Sequence, residues 1–175
     1  MINRRTLFLS GGIGVALISS GAVAQLKANA AAQKMQGDYL FWLDESLRAL
    51  ARQTAESIVA ALDSNPQQRL EVVRRLYAAG SRELQERYRT DEFVARIAQM
   101  RNPLGTIRTR VFQGIDGGFR LLPNLPDGEY CIVIFDVLLA QKDLMATEQL
   151  TLSRSGGAGW QLADYYVGEK PFYRY

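Results

Sequence analysis

The chain contains no histidine and a single cysteine, Cys131, so the groups left for chemistry are carboxylates, tyrosine, lysine, arginine, serine and one thiol. That set excludes Ser/His and Cys/His nucleophile pairs, histidine general bases and histidine-bearing metal sites. One cysteine also excludes an intramolecular disulfide and a thiolate metal cluster. No metal and no cofactor are expected, and no catalytic residue is assigned. Among the carboxylates, Asp136 and Asp164 stand near Tyr130, Tyr165 and Tyr166 in sequence, and a carboxylate beside a phenol can work as an acid–base pair. Alternation along a strand would put Asp164 on one face with Trp160, Leu162 and Tyr166; the plainer reading is a strand-end residue in water. Tyr130, Asp136, Asp164 and Tyr166 are the candidate ligand contacts. Arg110 and Glu148 would present opposite charges from two strands, and are expected as a structural ion pair, worth about 0–1 kcal/mol if exposed. Cys131, between Tyr130 and Ile132 in the apolar parity of a strand, reads as a small core hydrophobe.

Those side chains need a scaffold, and the pattern changes once along the chain. From residue 38 to 63, Leu40, Leu43, Leu47, Leu50, Ile58 and Leu62 recur at helical spacing, with Glu45, Arg48, Arg52 and Glu56 opposite. Asn65-Pro66 opens a second helix carrying Leu70, Val73 and Tyr77, and Gly80 stops it. Ser81 and Thr90 are cap candidates, and Asp91 and Glu92 suit the positive end of a helix bearing Val94 and Ile97. After Arg101 the period falls to two. Ile107, Thr109 and Val111 alternate with Arg108 and Arg110, which predicts a half-exposed strand. Further pieces are predicted over 118–122, 129–139, 146–154 and 160–167, with a proline-bracketed loop at 123–128. Over 129–139, Cys131, Val133, Phe135, Val137 and Leu139 form a dry face, while Tyr130, Ile132, Ile134, Asp136 and Leu138 form a mixed one. One dry and one mixed face is the signature of a sheet covered by helices on one side. Helices first and strands afterwards predict an α+β fold, with N-terminal helices packed on one face of a curved antiparallel sheet of four to five strands. Short links at 141–144 and 155–159 make its last three strands a meander.

The amino terminus reads as an export signal over residues 1–24. Arg4 and Arg5 precede an apolar run from Leu7 to Ala24, and Ala22-Val23-Ala24 is a cleavage-type site. Asn3 to Leu9 is similar to a twin-arginine signal, and the general export route fits equally. Glycines 11, 12, 14 and 21 argue against a permanent membrane anchor. Residues 25–37 form a spacer, and residues 38–175 one domain with helices over 38–101, a sheet over 105–167 and an aromatic tail over 168–175. In that tail Phe172, Tyr173 and Tyr175 interleave with Lys170 and Arg174, a composition that suits carbohydrate, lipid headgroups or a protein partner, or simple packing on a sheet edge. Removing Arg4 and Arg5 from the 21 cations leaves 19 against 18 carboxylates. A nearly neutral mature chain has no footprint for nucleic acid.

The run Arg101-Asn102-Pro103-Leu104-Gly105, then Arg110, then Leu122-Pro123-Asn124-Leu125-Pro126-Asp127-Gly128-Glu129-Tyr130, then Glu148, Thr151, Trp160 and Tyr165-Tyr166 resembles the bacterial domain-of-unknown-function family 4019. The resemblance rests on the ordered set and covers about half the chain. It implies a small exported domain of helices on a curved antiparallel sheet, related to cystatin-like and nuclear-transport-factor-2-like architectures, with no assigned activity. Asn124 stands where the family usually has a loop glycine, and Asp164 where it has a glycine before the tyrosine; Val137 and Leu139 replace a Thr and a Phe.

Three functional readings follow. The first is a periplasmic or secreted non-enzymatic domain that binds a small molecule or an envelope protein through the uncovered sheet face, with Tyr130, Asp136 and Tyr166 in contact. The second is a histidine-free acid–base enzyme using Asp164 and a tyrosine. The third is an envelope assembly factor working through its sheet edge or tail, with a homodimer through the sheet among the arrangements open to it.

Overall fold

The chain divides into two units, residues 1–36 and 37–175, of which the second holds the described residues. The computed structural model describes residues 41–63, 66–140, 145–155 and 159–169. The expected export signal and spacer, the links at 141–144 and 156–158, and the tail beyond residue 169 lie outside the described residues.

The first helix, α1 (Glu45–Leu62), starts later than the apolar spacing predicts. The Asp44 carboxylate accepts the Leu47 N–H at 2.8 Å and the Ser46 hydroxyl at 2.7 Å. It thereby satisfies a donor that the first turn leaves orphaned, so the helix begins at the cap and Phe41 to Leu43 run in beforehand as irregular chain. The Leu47 N–H, with Ser46, also holds the Asp44 carboxyl below its usual range. The buried stripe is Ala51, Ala55, Ile58, Val59 and Leu62. Leu50, expected on it, is 41% exposed. Two alanines at the contact let the helix lie close to the sheet, and that leaves the neighbouring leucine on the flank.

Three more helices follow: α2 (Pro66–Ala78), α3 (Arg82–Arg87) and α4 (Thr90–Arg101), the last running into a 3₁₀ turn over Asn102–Leu104. Ser81 caps α3 as expected, its hydroxyl oxygen accepting the Leu84 N–H at 3.3 Å. Thr90 does not cap α4. It is the first helical residue, Arg89 is the cap position, and the Glu92 carboxylate accepts the Arg89 N–H at 3.0 Å. A glutamate three residues into the helix closes that turn from inside, so no hydroxyl is needed. Among the described residues no helix is long and apolar enough to cross a membrane.

The sheet has four antiparallel strands in the order β1 (Ile107–Phe119), β2 (Glu129–Leu139), β3 (Met145–Arg154) and β4 (Gln161–Glu169). The piece expected over 118–122 is only the end of β1. Helices first, an open antiparallel sheet afterwards: the fold is α+β. Cys131, Val133, Phe135, Val137 and Leu139 are all buried in the core with α1, while the alternate residues Ile132, Ile134, Asp136 and Leu138 keep some exposure.

Strand β1 departs from simple alternation. Its register against β2 shifts between Ile107 and Thr109, between Phe112 and Gly114, and between Gly117 and Phe119. Each extra residue turns the following side chains to the other face. Past the first bulge Val111 is 51% exposed and Arg110 turns towards the helices, the reverse of the expected parity. At the third bulge Gly118 has φ +82°, and its carbonyl accepts the Phe41 N–H. A Cβ at Gly118 would fall 2.1 Å from the Phe41 carbonyl oxygen, so only glycine allows the chain entering α1 to lie against this end of the edge strand. Asn124, in the loop before β2, has φ +63°, the left-handed conformation that glycine takes most readily and asparagine tolerates.

Candidate functional site

Five polar side chains from five elements meet under α1. Arg101, the last residue of α4, donates through Nη1 to Glu148 Oε1 at 2.9 Å and to the Tyr165 hydroxyl at 2.9 Å, and through Nη2 to Asp63 just past α1. Arg110 of β1 donates through Nε to Glu148 Oε2 at 2.6 Å and through Nη1 to Asp63 Oδ2 at 2.6 Å. Tyr165 of β4 donates its hydroxyl proton to Glu148 Oε1. Two guanidinium groups thus face two carboxylates, and the phenol both donates and accepts.

Glu148 is fully buried and Arg101 only 6% exposed. Removing these charges from water is costly, and the arrangement stands because every one is matched. Burial works against the Arg101 charge, but Tyr165, Glu148 and Asp63 outweigh it and hold the cation more firmly than usual. Burial likewise favours a neutral Asp63, yet Arg110 and Arg101 bring its carboxyl below the ordinary value. Burial, followed by the charge of Glu148, pushes the Tyr165 hydroxyl far up. The group is a closed ionic knot in which each charge meets an opposite one. The expected Arg110–Glu148 pairing is one edge of it, buried rather than exposed. Arg101, Asp63 and Tyr165 were not singled out as partners, although Arg101 and Tyr165 both stand in the ordered set of motif residues.

The knot closes one end of a groove between α1 and β1. Two hollows of about 330 and 320 Å³ lie along it and share Arg52 and Phe112. Val59, Ala60, Phe112 and Phe135 line the first, whose rim carries Arg52, Glu56, Asp63 and Arg110. Ala49, Phe112, Gly114 and Ile115 line the second beside Glu45, Arg48 and Arg52. The Arg52 guanidinium sits 4.4 Å from the Phe112 ring centroid, where the two hollows meet, and its Nε is 2.8 Å from Glu56 Oε1. Arg48 donates to the backbone carbonyls of Leu43 at 3.1 Å and Ile115 at 3.2 Å, which ties α1 to the edge strand. From sequence, Arg48, Arg52 and Glu56 are simply the polar side of a helix, and nothing in their spacing shows that an aromatic strand residue lies beneath them.

The four candidate contacts do not gather in one place. Tyr130 is fully buried: its hydroxyl donates to the Pro126 carbonyl at 2.8 Å and its ring covers Gly128. It holds the loop before β2, and burial together with Glu83 and Asp127 pushes its hydroxyl up to about 12. Asp136 stands on the helix-free face, opposite Val111 on β1 and Thr147 on β3. Tyr166 is on the same face and 49% exposed. Asp164 keeps the strand parity of Tyr166 but parts from Trp160 and Leu162, because the register of β4 slips between Leu162 and Asp164. Trp160 and Leu162 are buried in the core, with the indole N–H donated to the Leu47 carbonyl at 3.0 Å. Asp164 Oδ2 accepts from Arg87 at 2.9 Å, and its Oδ1 accepts the Tyr165 N–H at 2.8 Å with Arg96 3.8 Å away. A carboxylate engaged on both oxygens is an anchor between β4 and the helices. Cys131 is buried, and burial, against a smaller effect of Arg48, pushes its thiol up to about 12.

No curated protein and no solved structure matches the chain. Residues 54–165, from within α1 to the Tyr165 of the ionic knot, match the family described as "Protein of unknown function (DUF4019)", and the chain belongs to that family.

Proposed function

We propose that this is a non-enzymatic, exported binding domain of the cell envelope that takes its ligand in the groove between α1 and β1. The single observation that carries the reading is the pair of hollows meeting at Arg52 and Phe112, an apolar and aromatic floor beneath a rim of convergent charged groups. Small-molecule sites have that composition. The floor rests on the buried faces of α1 and β2, so it is preformed, and the half-exposed guanidinium of Arg52 lies over it.

Binding is favoured over catalysis on chemical grounds. The sequence has no histidine. Of the rim carboxylates, Glu56 is paired with Arg52, and Asp63 with Arg101 and Arg110. Asp164, the candidate base, has both oxygens occupied. Export is supported by the arginine pair, apolar run and Ala22-Val23-Ala24 at the amino terminus.

Native mass spectrometry of protein taken from the periplasmic fraction without refolding tests both parts. Processing after Ala24 and a retained small molecule that an Ala60→Trp variant loses are the expected outcome. Recovery of the protein only in the cytoplasmic fraction overturns export, and an intact amino terminus overturns cleavage after Ala24. A processed, ligand-free protein whose wild type and Ala60→Trp form behave alike against a metabolite extract overturns the groove.

A further inference from the structure

The sheet face turned away from the helices carries a different feature. Tyr166 lies directly opposite Gln149 on β3, and Gly168 directly opposite Thr147. On the next strand Ile134 faces Gln149 and Asp136 faces Thr147. Tyr166 and Gly168 are two residues apart on one strand, so both positions project to the same side. A Cβ on Gly168 would fall 2.3 Å from the Tyr166 hydroxyl oxygen and 2.8 Å from Cζ. The phenol therefore fills the space that any side chain at 168 would need. It reaches along the strand over the glycine, and 49% of the residue is exposed.

A tyrosine that fills the space over a glycine is held in place before any ligand arrives, which lowers the ordering cost of binding. Its exposed face is a broad apolar plate with a hydroxyl at one end. Directly opposite residues on adjacent strands have Cβ atoms about 5 Å apart, so the Gln149 amide and the Thr147 hydroxyl stand at the rim of that plate. Asp136 lies one strand further. The three side chains that frame the plate, Tyr166, Gln149 and Thr147, carry no charge, which favours a neutral ligand. A pyranose ring has the matching chemistry: one face of C–H bonds to lie on an aromatic plate, and equatorial hydroxyls to reach the amide and hydroxyl groups around it.

We infer that Tyr166, Gln149 and Thr147 form a subsite for a neutral pyranose unit of an oligosaccharide, stacked on the Tyr166 ring. This site is on the opposite side of the sheet from the α1–β1 groove and stands or falls separately from it.

Titration calorimetry and saturation-transfer NMR on the purified protein, with chitotetraose and cellotetraose as probes, test it. The first sugar stands for acetamido-sugar chains and the second for plain β-glucans. At least one is expected to bind. Tyr166→Phe keeps the plate and stays within about twofold of wild type, whereas Tyr166→Ala weakens binding at least tenfold, about 1.4 kcal/mol. Gly168→Ala leaves the tyrosine in place but lifts the ring off the strand, and is expected to weaken binding severalfold with the thermal midpoint little changed. Arg52→Ala, in the groove, leaves sugar binding unaltered. Three results overturn the inference: neither sugar binds at millimolar concentration; Tyr166→Ala binds as wild type does; or Tyr166→Ala turns a dimer into a monomer in sedimentation, which would assign this face to a second copy of the chain.

Discussion

Arg110 Nε lies 2.6 Å from Glu148 Oε2 although β2 runs between their two strands. Adjacent strands are about 4.8 Å apart, so the contact spans two strand spacings and only a long side chain on the same face can make it. Arg110 is on that face because the bulge before Thr109 reversed the parity of β1. With Arg101, Asp63 and Tyr165 the pair joins both edge strands, an interior strand and the ends of two helices at a single point.

Breaking a buried ion pair from one side leaves charge unmatched, at a cost of about 3–5 kcal/mol. Glu148→Gln is therefore expected to destabilise the domain by about 3 kcal/mol or more. Tyr165→Phe loses the hydrogen bond donated to Glu148 and the one accepted from Arg101, each with a charged group and each worth about 1.5–3 kcal/mol. Urea unfolding of the two single variants and the double should give a non-additive result, because both act on Glu148 Oε1. An additive cycle would mean that the knot does not act as a unit.

The Asp63 carboxyl is held below its ordinary value of 3.8 by Arg110 and Arg101, against burial. A carboxyl lowered in the folded state contributes stability that is complete above the unfolded value and is lost as pH falls through the folded one. Wild-type stability should thus decline below about pH 4, and Asp63→Asn should be less stable at pH 6 yet flatter through that acid limb. Equilibrium unfolding at a series of pH values between 6 and about 2 checks the slope. Asp44 and Glu83 are also lowered and remain in the variant, so the limb should shrink rather than vanish.

Gly118 has both a positive φ and a Cβ position filled by the Phe41 carbonyl. Gly118→Ala is expected to cost about 1–3 kcal/mol and to release the segment before α1 from the edge of β1. Hydrogen exchange should show the Phe41 amide protected in wild type and open in the variant, with the α1 amides beyond Leu47 unchanged.

Cys131 is buried with its thiol pushed up to about 12. Alkylation at pH 8 should leave the native protein unlabelled and modify it once in urea, read by intact mass. Rapid labelling of the folded state would place the thiol in an accessible site and contradict its role as core packing.

Much of the scaffold could be read from local pattern. The change of period after Arg101, the bounds of β2 and the dry face from Cys131 to Leu139 depend only on near neighbours, and the structure keeps them. The start of α1 was missed because Asp44 caps it, a signal that the longer apolar spacing masked. The residues that carried the family resemblance, Arg101, Arg110, Glu148 and Tyr165, turn out to be four of the five members of the ionic knot. Their place in the knot therefore reads first as a requirement of the fold, and the motif set holds no sign of the groove of Arg52 and Phe112.

The sequence by itself determined the α+β partition, the excluded chemistries and the buried character of Cys131, because composition and period are local properties of the chain. The tertiary structure decided which way Arg110, Val111 and Asp164 point, since one inserted residue in a strand reverses everything after it and carries no compositional mark. It also decided that α1 and β1 enclose a groove and that the Tyr166 phenol lies over Gly168. Those relationships join positions by packing, and packing is settled only when all the layers are in place.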